Sequence, residues 1–415
     1  MNKNKVEFDQ VIERGCGLDV HKKVLVATIR GTGIIETTRT FGAFTENIEE
    51  LKEWLMEHKV THIAMESTGV YWKPVYNLFE EDFAIILVNA RHIKNVPGRK
   101  TDKKDSKWIA KLLLSGLLKG SFIPKKEIRE LRDLTRYKRK VIEQITSEKN
   151  RMEKILEDAN IKLSSVVSSM GGASATKIIN AMIRGEDNTE ELVKYKHKLM
   201  KVSDKDLNSA LKGKLTPHHI FMLNTIKESI EEKQKIIDTL DAQIEAHLKA
   251  NELELDAKLL QSIPGVGKDG AAYILAEIGN EMEQFPNEKH LASWAGMSPG
   301  NNESAGKKKS GRITHGNKYL RTMLVQFAWA ATRTKNTYLR SKYESLIGRI
   351  GKKRALIAVG HKILIATYFI LKDKVEYKEL GAQFLIKRKK DKQAQYYLKK
   401  LKDLGIELEV KKDVA

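Results

Sequence analysis

The stretch "GCGLDVHKKVLVATIRG", Gly15 to Gly31, decides how the first third of the chain is read. It is rich in Val and Leu, ends at glycine and reads as β-structure. Inside its apolar run stands Asp19. A carboxylate in mid-strand is costly unless it is paired or binds a metal. Taken alone, Asp19 is either a strand-end aspartate facing solvent or part of a polar site.

Working outward, "GIIETTRTF" follows a Gly-Thr-Gly turn, so the first two strands are expected to form a hairpin. "ENIEELKEWLMEHK" carries Ile48, Leu51, Trp54 and Leu55 at helical spacing. "THIAMES" is a short buried strand, "YWKPVYNLFEED" a helix and "FAIILVNA" another apolar strand. "DKKDSKWIAKLLLSG" is again helical and stops at Gly116. Two strands in hairpin order, then alternating helices and strands, give a mixed α/β sheet with the order of an RNase H-like (RuvC-like) fold over residues 14–122.

The texture changes near Lys125. Leu131, Leu134, Val141, Ile145, Met152, Ile155 and Ala159 keep a three-four spacing amid charges, and Leu223, Ile226, Ile230, Ile237, Leu240 and Ile244 repeat it. Two such helices predict an antiparallel coiled-coil arm over 123–255, with residues near 160–215 inserted at its tip. A mainly helical region, 256–375, follows, and then a basic tail, 376–415. The tail interleaves Lys with Tyr, which suits either a solvated face or a nucleic-acid contact.

The 415 residues carry 75 Lys and Arg against 54 Asp and Glu, a net charge of +21. That excess points to a polyanionic partner, most simply nucleic acid. The single cysteine, Cys16, excludes a disulfide framework and predicts a cytoplasmic location. The N-terminus has no apolar signal core. The most apolar run, Ala355 to Leu371, has His361 and Lys362 in its middle and is expected to be a buried helix, not a membrane span.

Several residues suit chemistry. Glu66 ends the strand "THIAME", and Asp102 and Asp105 open a helix at a spacing that puts them on one face. Each has an ordinary reading as well: a loop-facing glutamate, and the usual acids of a helix N-terminus. In an RNase H-like sheet, however, Asp19, Glu66 and the helix acids converge on one edge. Such a cluster can hold one or two Mg²⁺ ions. Arg99, Lys100 and Lys103 nearby suit a phosphate backbone.

"GVGKDG", Gly265 to Gly270, matches a dinucleotide pattern, but that pattern needs a strand before it. Here the preceding residues look helical. The segment reads as a helix-hairpin-helix in which Gly265, Gly267 and Lys268 grip a DNA backbone, or as a purely structural hairpin. Further on, "SAGKKKSGRITHGNKYLR" places Ser304 among small residues and cations: Lys307, Lys308, Lys309, Arg312 and Arg321. Small neighbours let a phosphate approach the hydroxyl, and the cations would stabilise developing charge. A turn serine in a basic DNA-binding loop is the plainer alternative.

Taken in order, "GLDVHK", "MESTGVYWKPVY", "KTDKKDS", "IPGVG" and "SAGKKKSGRITHGNKYLR" resemble the insertion-sequence one-ten family of DEDD transposases, over roughly residues 14 to 335. The central insertion and the tail resemble the longer branch of that family. The resemblance implies a RuvC-like domain whose four acids map onto Asp19, Glu66, Asp102 and Asp105, holding Mg²⁺. It also implies a coiled-coil domain and a transposase domain whose nucleophile maps onto Ser304. Some relatives have a second serine where this chain has Ala305, and Ser310 is a competitor. The family recombines donor and target DNA, guided by a structured bridge RNA from its own element. It acts as a homo-oligomer, dimer or tetramer, with acids and serine from different subunits. Other classes stay open: a junction-resolving nuclease using water, a sugar-kinase-like ATPase, and a noncatalytic nucleic-acid-binding protein.

Overall fold

The opening stretch is two strands. β1 (Arg14–Val20) and β2 (Val24–Gly31) pair antiparallel, and His21 N–H donates to Val24 O at 3.0 Å across the turn. The expected hairpin across the Gly-Thr-Gly turn is present, Val24–Gly31 against Thr37–Gly42, but the stretch before that turn is two strands and not one. The exposed run His21, Lys22 and Lys23 makes the turn, and apolar residues on both sides of it conceal the break.

The computed structural model describes residues 12–67, 69–89, 105–300 and 313–404, and the backbone alone at 302–304 and 307–310. It divides into two units, Met1–Ile123 and Pro124–Ala415. The first is a five-stranded sheet in the order β3-β2-β1-β4-β5, completed by β3 (Thr37–Gly42), β4 (His62–Glu66) and β5 (Ala84–Val88). The pairs β1/β2 and β2/β3 are antiparallel; β1/β4 and β4/β5 are parallel.

Strand alternation sorts the side chains onto two faces. Cys16, Leu18, Leu25, Ala27, Ile29, Ile63 and Met65 form one buried cluster with α1 (Thr45–Glu57) and α2 (Trp72–Phe79), which contribute Leu51, Trp54, Leu55, Val75 and Phe79. The opposite face is covered by α3 (Asp105–Leu114), whose Ile109, Leu112 and Leu113 pack with Ala64 and Val88.

The approach of α3 is close because β1 offers it no side chain. A β-carbon on Gly17 would lie 2.1 Å from Ser106 O and 2.3 Å from Ala110 N. One on Gly15 would lie 2.7 Å from Leu113 Cδ2. Helix α3 thus runs back along β1, with its N-terminus toward the carboxyl end of the strand. Buried Thr28, paired with Gly17 across β1/β2, hydrogen-bonds Ser106 Oγ at 2.8 Å and pins that end.

The second unit is helical. Helices α4 (Lys126–Asp158) and α9 (Pro217–Ala250) are 33 and 34 residues long, about 50 Å each at 1.5 Å per residue. They run antiparallel: His247 Nε2 lies 2.7 Å from Glu127 O at one end, and His219 Nε2 lies 2.9 Å from Asp158 Oδ2 at the other. Val141, Ile145 and Ile237 fill the seam between them. Four short helices follow α4: α5 (Leu163–Val166), α6 (Ala173–Ile183), α7 (Thr189–Val193) and α8 (Asp204–Leu211). Their Leu163, Ile178, Leu192 and Leu207 make a separate small core with Leu156 and Leu223 of the long pair.

A bundle completes the unit: α10 (Glu254–Gln261), α11 (Lys268–Ile278), α12 (Glu288–Trp294), α13 (Lys318–Ala331), α14 (Tyr338–Ile350) and α15 (Lys352–Asp373). Helix α15 is the expected apolar helix. It is long and apolar enough to cross a membrane, yet its Val359, Ile363, Leu364 and Leu371 are buried among α10, α12, α13 and α14. Helix α16 (Phe384–Asp403) follows and has no buried residue.

Gly17→Val tests the close approach. Helix α3 has no space to accept the branched side chain, and overpacking of this kind costs about 1–3 kcal/mol. The urea midpoint of the first unit should fall accordingly, and an unchanged midpoint would contradict the packing described.

Candidate active site

Asp19 and Glu66 belong to neighbouring parallel strands. The register pairs Gly17 with Ala64 and Leu18 with Met65, so the next step along brings Asp19 beside Glu66. Parallel neighbours stand about 4.8 Å apart. By the same alternation both acids follow Gly17 and Ala64 onto the face that α3 covers. Asp105 is the first residue of α3, next to the Ser106 that presses on Gly17. Three of the four acids singled out in the sequence therefore share one face and one end of the sheet. Asp102 lies outside the described residues, as do Arg99, Lys100 and Lys103.

Asp19 is partly shielded, with 21% of its side chain exposed, and its Oδ2 lies 3.0 Å from His21 Nε2. His21 is a partner that the strand reading passed over, because that reading ran a single strand through it. Cys16 sits on the opposite face, and burial pushes its thiol up to about 12, so it offers no thiolate near neutral pH. Among the described residues no group of three or more His, Cys, Asp or Glu stands close enough to hold a metal ion. The donors are nevertheless of the kind a hard divalent cation takes, carboxylate oxygens only, and Asp102 stands three residues before Asp105 in sequence.

In the second unit, Ser304 ends β6 (Asn302–Ser304) and pairs with Lys307, which opens β7 (Lys307–Ser310). The small-residue loop is thus a β-hairpin with Ser304 and Lys307 flanking its tip. The base of the hairpin is fixed: Pro299 bridges Ile313, and Thr314 N–H donates to Ser298 O at 3.2 Å. Gly296 and Gly316 touch through backbone, since a β-carbon on Gly316 would lie 2.2 Å from Gly296 N. Lys308 and Lys309 lie on β7; Arg312 lies outside the described residues, and Arg321 is half-buried on α13.

Asn317 then caps α13, accepting from Tyr319 and Leu320 N–H, while its Nδ2 donates to Glu277 Oε2 at 2.6 Å. Glu277 is only 3% exposed in the apolar face of α11. Arg136 of α4 grips it with two hydrogen bonds of 2.8 Å and stacks 4.0 Å over the Tyr319 ring. Arg132 donates to the Ala276 and Glu277 carbonyls. One carboxylate thereby ties the long arm, α11 and the start of α13 together, directly after the serine hairpin. Sequence reading missed it, although a lone Glu in "AAYILAEIG" is the same buried-charge signal that drew attention to Asp19.

The turn between α10 and α11 is indeed preceded by a helix, so "GVGKDG" is no dinucleotide fingerprint. Gly265 has φ +90, and a β-carbon there would lie 2.5 Å from Phe327 O, so packing against α13 already requires glycine. Gly267 caps α11 in open space, and exposed Lys268 pairs with Glu245 at 2.9 Å.

Two family models match the regions that hold these sites. One, described as a transposase and of the DEDD IS110 type, matches residues 16–161; the other, the transposase IS116/IS110/IS902 family, matches 257–344. The chain belongs to the IS110 family of transposases. Pilin gene-inverting proteins of Moraxella lacunata and Moraxella bovis are each 30% identical over 158 residues, 37% of this chain and 48% of theirs. An insertion element IS110 protein of Streptomyces coelicolor is 42% identical over 77 residues, 19% of this chain and 16% of its own. The chain spans about half the length, or less, of these relatives. The first family match begins at Cys16 and covers Asp19, Glu66, Asp102 and Asp105; the second covers Ser304.

Glu277→Ala would leave the Arg136 guanidinium facing an empty site. We expect a loss of about 3 kcal/mol, at the low end for a broken buried pair because Arg136 keeps a third of its surface. Denaturation of the full chain measures it, and a loss under about 1 kcal/mol would show that the pair does not hold the bundle.

Proposed function

We propose that this protein is a DNA recombinase that cuts and rejoins strands through Ser304, assisted by Asp19, Glu66, Asp102 and Asp105. The observation that carries the proposal is the placement of Asp19 and Glu66 on the sheet face that α3 covers, with Asp105 at the start of α3, within a region that matches a DEDD transposase domain. The strand order, with an antiparallel β1/β2/β3 followed by parallel β4 and β5, supports an RNase H-like reading of the sheet.

The acids would hold a divalent cation, Mg²⁺ by donor chemistry. When bound, such an ion supplies charge stabilisation at a phosphodiester and lowers the pKa of an attacking hydroxyl. The remaining work falls to the chain's own residues. The tip of the hairpin presents Ser304 next to Lys307, with the cations of β7 following it in sequence. Ser304 Oγ forms a bond to phosphorus while the bond to one bridging oxygen breaks. The serine proton passes to a base, and the released sugar hydroxyl takes up a proton. The count of P–O bonds is unchanged, so a free hydroxyl can reverse the step and rejoin strands without ATP. A hydrolytic nuclease has no need of this.

The family resemblance supports three further elements of the reading: guidance by a structured RNA from the element's own end, assembly as a dimer or tetramer, and pairing of one subunit's acids with another's serine. The net charge of +21 accords with nucleic-acid partners.

The test runs labelled donor DNA with the full chain, with and without the element's own transcript, and quenches under denaturing conditions. We expect a protein–DNA adduct that maps to Ser304 by mass spectrometry, depends on the transcript, and is lost in Ser304→Ala, Asp19→Ala and Glu66→Gln. Mixing Ser304→Ala with Asp19→Ala chains should restore part of the activity. Cleavage at the normal rate by Ser304→Ala, with no adduct, would instead indicate a resolvase-type nuclease that uses water.

A further inference from the structure

Beside the base of the serine hairpin lies a cleft of about 860 Å³ between α14 and α15. Met297, Leu346, Ile350 and Ile357 give it an apolar floor, and Pro299 and Ile313, the bridged pair at the hairpin base, close one side. Lys342, Arg349, Arg354 and Lys362 line it as well, and no lining residue among the described ones is acidic.

We propose that this cleft holds a single strand of DNA by its phosphodiester backbone, next to the hairpin that carries Ser304. The proposal rests on the reading of that hairpin as the cleavage site. Among the described residues these four cations line the cleft with no carboxylate; like charges so gathered repel one another, and a polyanion relieves that repulsion. Burial, and then the nearby charges of Lys362, Arg349 and Arg388, hold the Lys342 ammonium below the usual lysine range, the state expected of a cation that lacks an anion. An apolar floor under a cationic rim suits an unpaired strand, whose sugar and base faces can lie on the floor while its phosphates meet the rim. A duplex presents its phosphates on a convex surface and would leave that floor empty. The position next to Pro299 and Ile313 suits the strand that has just been parted from its complement.

The experiment uses the full Ser304→Ala chain, so that its outcome does not depend on whether Ser304 forms an adduct. Fluorescence anisotropy with a short oligo-dT strand compares this chain with one that also carries R349Q and R354Q, and with a control that carries K198Q and K205Q, exposed lysines of the segment between α4 and α9. Losing two phosphate contacts should weaken binding at least tenfold at moderate salt, and should reduce the salt slope by about 1.4, at about 0.7 per contact for a single strand. The control should change less than threefold. Photocrosslinking with thio-substituted dT should label α14 and α15 in the parent chain. Equal losses in the two double variants would reduce the effect to general electrostatics and overturn the proposal. So would crosslinks that avoid α14 and α15, an equal loss for duplex DNA, or a loss confined to an RNA strand of the same length.

Discussion

The arrangement of the first unit depends on the absence of a side chain at Gly17. Because β1 is bare there, α3 can lay Ser106 and Ala110 against its backbone and point its N-terminus at the carboxyl end of the sheet. That end is where β1 and β4 deliver Asp19 and Glu66 side by side. A helix held one side chain farther out would carry Asp105 away from Asp19 and Glu66. With α3 close, Asp105 and the partial positive charge of the helix N-terminus lie toward the same end of the sheet. The glycine sets how near α3 can come, and the proposed joint use of the acids depends on that distance.

The second unit solves a related problem with a charge in place of a gap. Glu277 is buried in an apolar helix and would be expensive there unpaired. Arg136 and Asn317 satisfy it from two other elements, one on the long arm and one at the start of α13. The residue that caps α13 is thus fixed from behind, and the hairpin that carries Ser304 returns to the bundle at that cap. A network of this kind contributes more to position than to net stability, since burying ions costs much of what their attraction returns. Through Asn317 it ties down the cap at which the chain returns from the hairpin to the bundle.

Much of this was legible in the sequence. Asp19 stood out because a carboxylate interrupts an apolar strand, and the periodic Leu and Ile residues marked the two long helices before their antiparallel contact was seen. The hairpin break at His21–Lys23 was less visible, because strand composition continues on both sides of the three polar residues. Gly17 and Glu277 were passed over for a common reason: each acts through a partner far away in sequence, α3 for the glycine and α4 for the glutamate. The same holds for the cleft near Pro299. Its cations are scattered from Lys342 to Lys362 and form a group only when α14 and α15 pack. Gly265 was the opposite case: a glycine read as a phosphate contact is required by its fit against Phe327 and Ala331.

The central claim is that acids on one sheet face act together as a divalent-cation site. Titration of the full chain with Mn²⁺, followed by electron paramagnetic resonance, tests it without relying on catalysis. The account predicts saturable binding that is weakened at least tenfold by Asp19→Asn and by Glu66→Gln alike, with the fold intact by circular dichroism. Undiminished Mn²⁺ binding in both variants would contradict it.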